Sequence, residues 1–157
     1  MKMKMKRHEV IGLNNILSIE GFKTSEMNND NSFNIILLKN DASEIASSAD
    51  KIRTDFAKVN STKELEELSK KEEKNLTEKE IKRLNELNRA LNDKFVEVYT
   101  KHIEEEIEIE FSKFSKEEFK KLMLSNRDNN KIDLNKLSYL CKYLVEDKPV
   151  VEEVKAI

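Results

Sequence analysis

Few side chains in this sequence are grouped as chemistry would require. The densest group is a run of carboxylates, Glu104, Glu105, Glu106, Glu108 and Glu110, with His102 just before it. Paired carboxylates can exchange protons or hold a metal ion. From Glu106 onward, however, the acids alternate with Ile107, Ile109 and Phe111. A period of two sets them along the solvated face of a strand rather than around a common point. The only histidines, His8 and His102, lack a cysteine or carboxylate at metal-ligand spacing, and His102 reads as a boundary residue of a helical seam. The single cysteine, Cys141, excludes an internal disulfide. Lying between Leu140 and Tyr143–Leu144, it is expected to be a small buried apolar residue. With two glycines in the chain there is no P-loop, no G-x-S-x-G and no glycine-rich phosphate cradle. No nucleophile, base and oxyanion donors converge, so no catalytic, cofactor-binding or metal-binding residue is assigned and the expectation is not an enzyme.

The segment Ser125–Lys136 resembles a calcium EF-hand loop between two helices. If Ile132 takes the eighth place of such a loop, the first is Ser125, the third Arg127, the sixth Asn130 and the twelfth Lys136. Calcium needs carboxylate oxygens at those places, above all a bidentate glutamate at the last, and glycine at the sixth. A lysine ammonium stands where that glutamate should be. A plain helix–turn–helix is the expected structure.

Composition limits the function further. Of the 157 residues, 38% are hydrophobic and 38% charged, with one proline and no tryptophan. That balance suits long solvated helices with narrow apolar stripes. Twenty-nine basic residues nearly cancel 31 acidic ones, so the chain lacks the basic excess of a nucleic-acid binder. The small basic cluster Lys2, Lys4, Lys6 and Arg7 reads as a solvated terminus. No apolar run approaches the roughly 18–20 residues of a membrane span, and the alternating Met–Lys start has no signal-peptide core. A soluble protein of the cytosol, or of a particle assembled there, is expected.

The elements follow from spacing. Ile35, Leu38, Ala42, Ile45, Ala49, Ile52, Phe56 and Val59 alternate steps of three and four, which draws one seam along a long helix. After a charged connector from Thr62 to Asn75, Thr77 and Glu80 match a capping box. A second seam then runs through Ile81, Leu84, Asn88, Leu91, Phe95, Val98 and His102, broadened by Leu87, Ala90 and Ile103. Asn88 on that seam would set its register. Two seams of equal period joined by a polar connector predict an antiparallel helical hairpin with arms of about 25–30 residues. Ahead of it, Met1–Lys6 alternates as a short edge strand, with a frayed terminus as the alternative. Arg7–Glu20 then reads as a helix with Val10, Leu13 and Leu17 inward, closed by Gly21.

Phe22–Ser32 is the most turn-like stretch and predicts a surface loop, with Ser32 or Asn31 capping the next helix. Loops of such length often carry function. Phe22, Met27, Asn28, Asn29, Asp30 and Asn31 are therefore the candidate partner-contact residues. The acidic face of 107–112 complements the lysine face of 1–6, so these strands are expected to pair. Ser115 and Glu118 match a second capping box, opening a helix through Phe119, Leu122, Met123 and Leu124. Asn126–Asn130 is a turn. Asp133–Glu146 is a last helix, with Leu134, Leu137, Leu140, Cys141 and Leu144 inward. Pro149 limits it, and an apolar tail, Val150–Ile157, adds a strand or binds a neighbour.

The expected fold is thus mainly α: a long antiparallel helical hairpin, additional short helices, and a small two-stranded β element of residues 1–6 and 107–112. It forms a single helical domain over 1–157, divided into 1–31, 32–106 and 107–157. This order of elements, with the motifs Arg7-His8-Glu9-Val10-Ile11-Gly12-Leu13-Asn14-Asn15-Ile16-Leu17 and Glu106-Ile107-Glu108-Ile109-Glu110-Phe111, resembles a group of small uncharacterised proteins of tailed bacteriophages. The resemblance implies a non-enzymatic structural or assembly protein, in the virion or the host cytoplasm. Its partners would be other virion proteins or copies of itself, with no nucleic acid, membrane or cofactor. The alternative is a small inhibitor or regulator that binds a host protein. Calorimetric titration with calcium is expected to give no heat of binding; a saturable heat would reinstate Ser125–Lys136 as a cation loop.

Overall fold

A computed structural model describes residues 2–147. Strand β1 (Lys2–Lys6) pairs antiparallel with β2 (Glu106–Glu110), with Met3 opposite Ile109 and Met5 opposite Ile107. Met3, Met5 and Ile109 are buried, while the three lysines and three glutamates stand on the solvated face. Opposite charges facing across a ladder stabilise it by roughly 0.2–1 kcal/mol a pair. The complementary faces thus pair as expected, although β2 starts one residue earlier and ends at Glu110 rather than Ser112. Phe111, just past it, is still buried.

Two strands alone are marginal in water. Their apolar face therefore needs a helical cover, which begins with helix α1 (Arg7–Leu17), directly continuous with β1. Val10, Leu13, Ile16 and Leu17 are buried on one side of α1. The helix stops at Leu17, three residues before the expected end. Gly21 lies further on, at φ +84°, in a turn that a Cβ would strain. Gly12 serves a different need: a Cβ there would collide with the Tyr139 hydroxyl oxygen. Its missing side chain lets the last helix lie close to α1.

Helix α2 (Asn29–Asn60) is the first hairpin arm. Its N-cap is Asn28, whose side-chain oxygen accepts from the Asn31 backbone at 2.8 Å. Asn29, Asp30 and Asn31, expected in the loop, are thus its first turn, and neither Ser32 nor Asn31 is the cap. Ile35, Leu38, Ala42 and Ala49 are buried, and Ile45, Ile52 and Phe56 half-buried. Val59, the last residue of the expected seam, is 80% exposed and off the contact line. The charged connector resolves into helix α3 (Lys63–Lys70), capped by Thr62, and a 3₁₀ turn at Glu73–Asn75. Leu65 and Leu68, its apolar pair, are buried.

Helix α4 (Glu78–Glu104), the second arm, starts with the expected capping box. Thr77 accepts from the Glu80 backbone and Glu80 from the Thr77 backbone, both at 3.2 Å. The seam on α4 differs from the expected one. Leu84, Leu87, Leu91, Phe95 and Tyr99 are half-buried, whereas Asn88 and Val98 are exposed. A straight helix turns 3.6 residues, not 3.5, so a strict three–four pattern drifts off the contact line. Asn88 is therefore not a register device. No residue of α4 is fully buried.

Helices α5 (Lys116–Ser125) and α6 (Leu134–Leu144) close the base. Phe119, Leu122, Leu140 and Leu144 join Met3, Met5 and the buried faces of α1 and α2 in one core. Leu134 is 77% exposed and Cys141 is exposed, so neither points inward as expected. Cys141 is one residue past the buried Leu140, about 100° round the helix. A parallel bridge between Phe114 and Val145 carries the chain out of α6. Pro149 and the apolar tail Val150–Ile157 lie outside the described residues, as does Met1.

The core lies at the sheet end, and the hairpin beyond it is thinly covered. Leu38→Ala is expected to destabilise by about 2–5 kcal/mol, and Ile81→Ala, 39% exposed before mutation, by less than about 1 kcal/mol. Urea denaturation followed by circular dichroism checks both; equal losses would mean that stability is spread along the hairpin.

Candidate functional site

The chemistry-bearing residues are placed by the sheet junction. His102 ends α4 beside Arg7, the first residue of α1. The Arg7 guanidinium donates to the His102 carbonyl at 3.2 Å, approaches His102 Nδ1 at 3.3 Å and pairs with the Glu105 carboxylate. Burial, and then the Arg7 charge, hold the His102 imidazole below its ordinary pKa, so it is neutral at pH 7. Its Nε2 is enclosed without a hydrogen-bond partner among the described residues. Glu104 pairs outward with Lys6 at 3.1 Å and with His8 at 3.6 Å. Lys2 pairs with Glu108 at 3.5 Å. The carboxylate run is thus spread over a hairpin junction and a solvated sheet face. Among the described residues no group of three His, Cys, Asp or Glu side chains is placed to hold a metal ion.

A second polar group, not legible in the sequence, joins α1 to α6. The Glu9 carboxylate accepts from the Lys6 backbone at 2.8 Å and from the Tyr143 hydroxyl. Tyr139 donates to the Glu9 carbonyl at 2.8 Å, with its ring 4.9 Å from that of Tyr143. Burial opposes ionisation of Glu9, yet the Tyr143 and Lys6 hydrogen bonds hold its pKa below the usual carboxylate value. Burial and then the same carboxylate push the Tyr143 phenol up. The group ties α1 to α6.

The candidate partner-contact residues divide into two sets. Phe22 is half-buried against the core and Met27 is buried within it. Asn28, Asn29 and Asp30 are exposed, and Asn31 is partly covered. The whole loop is stitched to α5. Asn126 makes a two-way clamp on Lys23, accepting from its N–H and donating to its carbonyl, both at 2.8 Å. Ser125 accepts from the Glu26 backbone at 2.9 Å. Glu118 accepts from the Asn28 backbone at 2.9 Å, at the N-terminus of α2. Ser115 caps α5 through the Glu118 N–H at 3.2 Å, as expected, while the Glu118 carboxylate holds α2. That carboxylate is only 7% exposed, and the Asn28 N–H, above all, holds its pKa below the ordinary 4.5. A negative charge there also meets the positive end of the α2 dipole.

This stitching presents a rigid face. One and two turns past Asn29 and Asp30, Phe33 (59% exposed), Ile36 (52%) and Leu37 (44%) lie on the same side of α2. A second apolar feature is a groove of about 390 Å³ between the arms, walled by Phe56, Leu91 and Phe95. Arg53 lies 5.3 Å above the Phe95 ring. Among the described residues no helix is long and apolar enough to cross a membrane. Compared with protein-family models, curated proteins and solved structures, the chain matches none.

Glu118→Gln is expected to lower stability by about 1.5–3 kcal/mol near pH 7, the range for hydrogen bonds to charged groups. Because the folded pKa lies below 4.5, the advantage of the native carboxylate is present above that value. It fades as pH falls through the depressed folded pKa. Urea midpoints of both proteins across pH 2–8 check this, and a gap independent of pH would remove the charge from the account.

Proposed function

We propose that this chain is a non-enzymatic structural or assembly protein of a tailed phage, acting through protein–protein contacts in the virion or the host cytoplasm. The observation that carries the contact reading is the face formed by Asn29, Asp30, Phe33, Ile36 and Leu37. Three large apolar side chains there are 44–59% exposed on a helix whose N-terminus is pinned by a buried carboxylate. Contiguous exposed apolar residues rimmed by polar ones mark contact sites. A fixed backbone also lowers the ordering cost of association. The phage context is supported by the order of elements and by the Arg7–Leu17 and Glu106–Phe111 motifs, a resemblance in sequence. The second reading, an inhibitor or regulator of a host protein, is favoured by the small size of the same face, which suits one compact partner.

Quantitative mass spectrometry of purified virions tests the first reading, with a fixed copy number per particle expected. The double variant Phe33→Glu/Ile36→Glu should keep its urea midpoint within about 0.5 kcal/mol, as exposed substitutions do, and be lost from the particle. Absence of the native protein from virions, with a stoichiometric host protein on the same face, would transfer the assignment to the second reading.

A further inference from the structure

Arg7 and His102 meet where the chain closes on itself. Arg7 follows β1 directly, and His102 stands in the last turn of α4, just ahead of β2. Arg7 holds the two ends together through its backbone and its side chain. Its N–H donates to the Glu105 carbonyl at 3.0 Å. Its guanidinium donates to the His102 carbonyl at 3.2 Å and pairs with the Glu105 carboxylate. The same guanidinium lies 3.3 Å from His102 Nδ1.

A guanidinium has donors only. Nδ1 is therefore the acceptor in that contact, and the neutral ring carries its hydrogen on Nε2. That Nε2 is enclosed and meets no acceptor among the described residues. The site accommodates an imidazole but offers nothing to an imidazolium. A proton on Nδ1 would face the Arg7 N–H, abolish the bond between them and set two cations 3.3 Å apart. The surrounding charges do not repair this. Arg7, from α1, opposes a second positive charge; Glu105, past the end of α4, favours one but is already paired with Arg7. Glu104 turns outward to Lys6 and His8, and the Glu9 carboxylate is taken by the Lys6 N–H and Tyr143. Among the described residues no charged group of α2 or β2 pairs with the ring.

We propose that His102 is an acid-sensitive latch: protonation of its imidazole drives Arg7 from the end of α4 and loosens the closure of β1 and α1 on the hairpin, while the core stays folded. The direction follows from linkage. Folded His102 is held below the ordinary 6.5, so the open junction takes up the proton first. The closed junction has its full stability above 6.5 and loses it as pH falls from there toward the depressed folded value. His8, the other histidine, acts in the opposite sense, because its proton finds Glu104 at 3.6 Å across the same junction.

The test is hydrogen exchange by NMR at about pH 7.5 and about pH 5.5, which bracket the ordinary histidine titration. It compares the native chain with His102→Asn, whose amide oxygen replaces the Nδ1 acceptor and takes up no proton in this range. Both proteins keep His8, so its contribution is common to them. In the native chain the protection factor of the Arg7 amide, which corrects for the intrinsic pH dependence of exchange, should fall several-fold at the lower pH. The ceiling is about tenfold, set by one pH unit below the ordinary histidine value. In His102→Asn it should change by less than about twofold, and the core amides of Leu38 and Leu140 should hold in both proteins. No fall in the native chain, an equal fall in the two proteins, or a fall shared by Leu38 and Leu140 would overturn the proposal. So would titration of the His102 ring resonances in the native chain at or above 6.5, a measurement that needs no variant.

Discussion

The pairing of Lys2–Lys6 with Glu106–Glu110 is the constraint on which the rest of the molecule depends. It joins the chain's beginning to the far end of the hairpin, across about a hundred residues of sequence. Closing so long a loop is entropically costly, and five residues of ladder do not offset it alone. The hairpin does most of that work, because its antiparallel arms return the chain to where it started. The ladder then needs only to lock the junction. It does so with matched charges outside, Met3, Met5 and Ile109 inside, and the Arg7–His102–Glu105 group beside it. Helix α1, continuous with β1, packs on both arms of the hairpin beside it.

The molecule accordingly has a dense base and a lean projection. Val10, Leu13, Leu38, Leu122, Leu140 and Leu144 are essentially inaccessible. Along α4, by contrast, no residue is fully buried. The projection is held by one-sided apolar contact, by Phe56 against Phe95 at 5.7 Å, and by exposed pairs such as Arg83–Glu64. Exposed ion pairs contribute little to stability. Hydrophobic burial scales with area removed from water, so the base governs the fold while the projection keeps surface available for contact.

Three polar residues give the base its rigidity by acting away from their own elements. Glu118 heads α5 but holds α2. Asn126 ends α5 but clamps Lys23 on both backbone groups. Glu9 completes the start of α1 and also receives the Tyr143 hydroxyl from α6. Each is covered enough that loss of a partner would leave a polar group unsatisfied, which is more costly than the bond is favourable. Glu118 and Asn126 explain why a run as turn-like as Phe22–Asn28 is held without secondary structure of its own.

Features encoded over three or four residues were legible without the fold. The Thr77–Glu80 box, the Ser115 cap, the alternating strands and the seam from Ile35 to Phe56 are all of this kind, because backbone periodicity and caps act within one turn. The hairpin and the strand pairing follow from them, through equal seam periods and complementary charge. Tertiary structure decided what local chemistry left degenerate. Five consecutive polar residues, Asn28 to Ser32, were all competent caps, and the Glu118 carboxylate selected Asn28. Asn88 lay on the expected seam with Leu87 beside it, and in the fold Leu87 is half-buried while Asn88 is exposed. Cys141 and Leu134 looked inward by composition and lie outward because the core ends at Leu140 and Leu144. The same holds for the candidate contact face. Its polar residues stood out as a loop, but Phe33, Ile36 and Leu37 became its centre only once the core had claimed Met27 and Ile35 and left their neighbours in water.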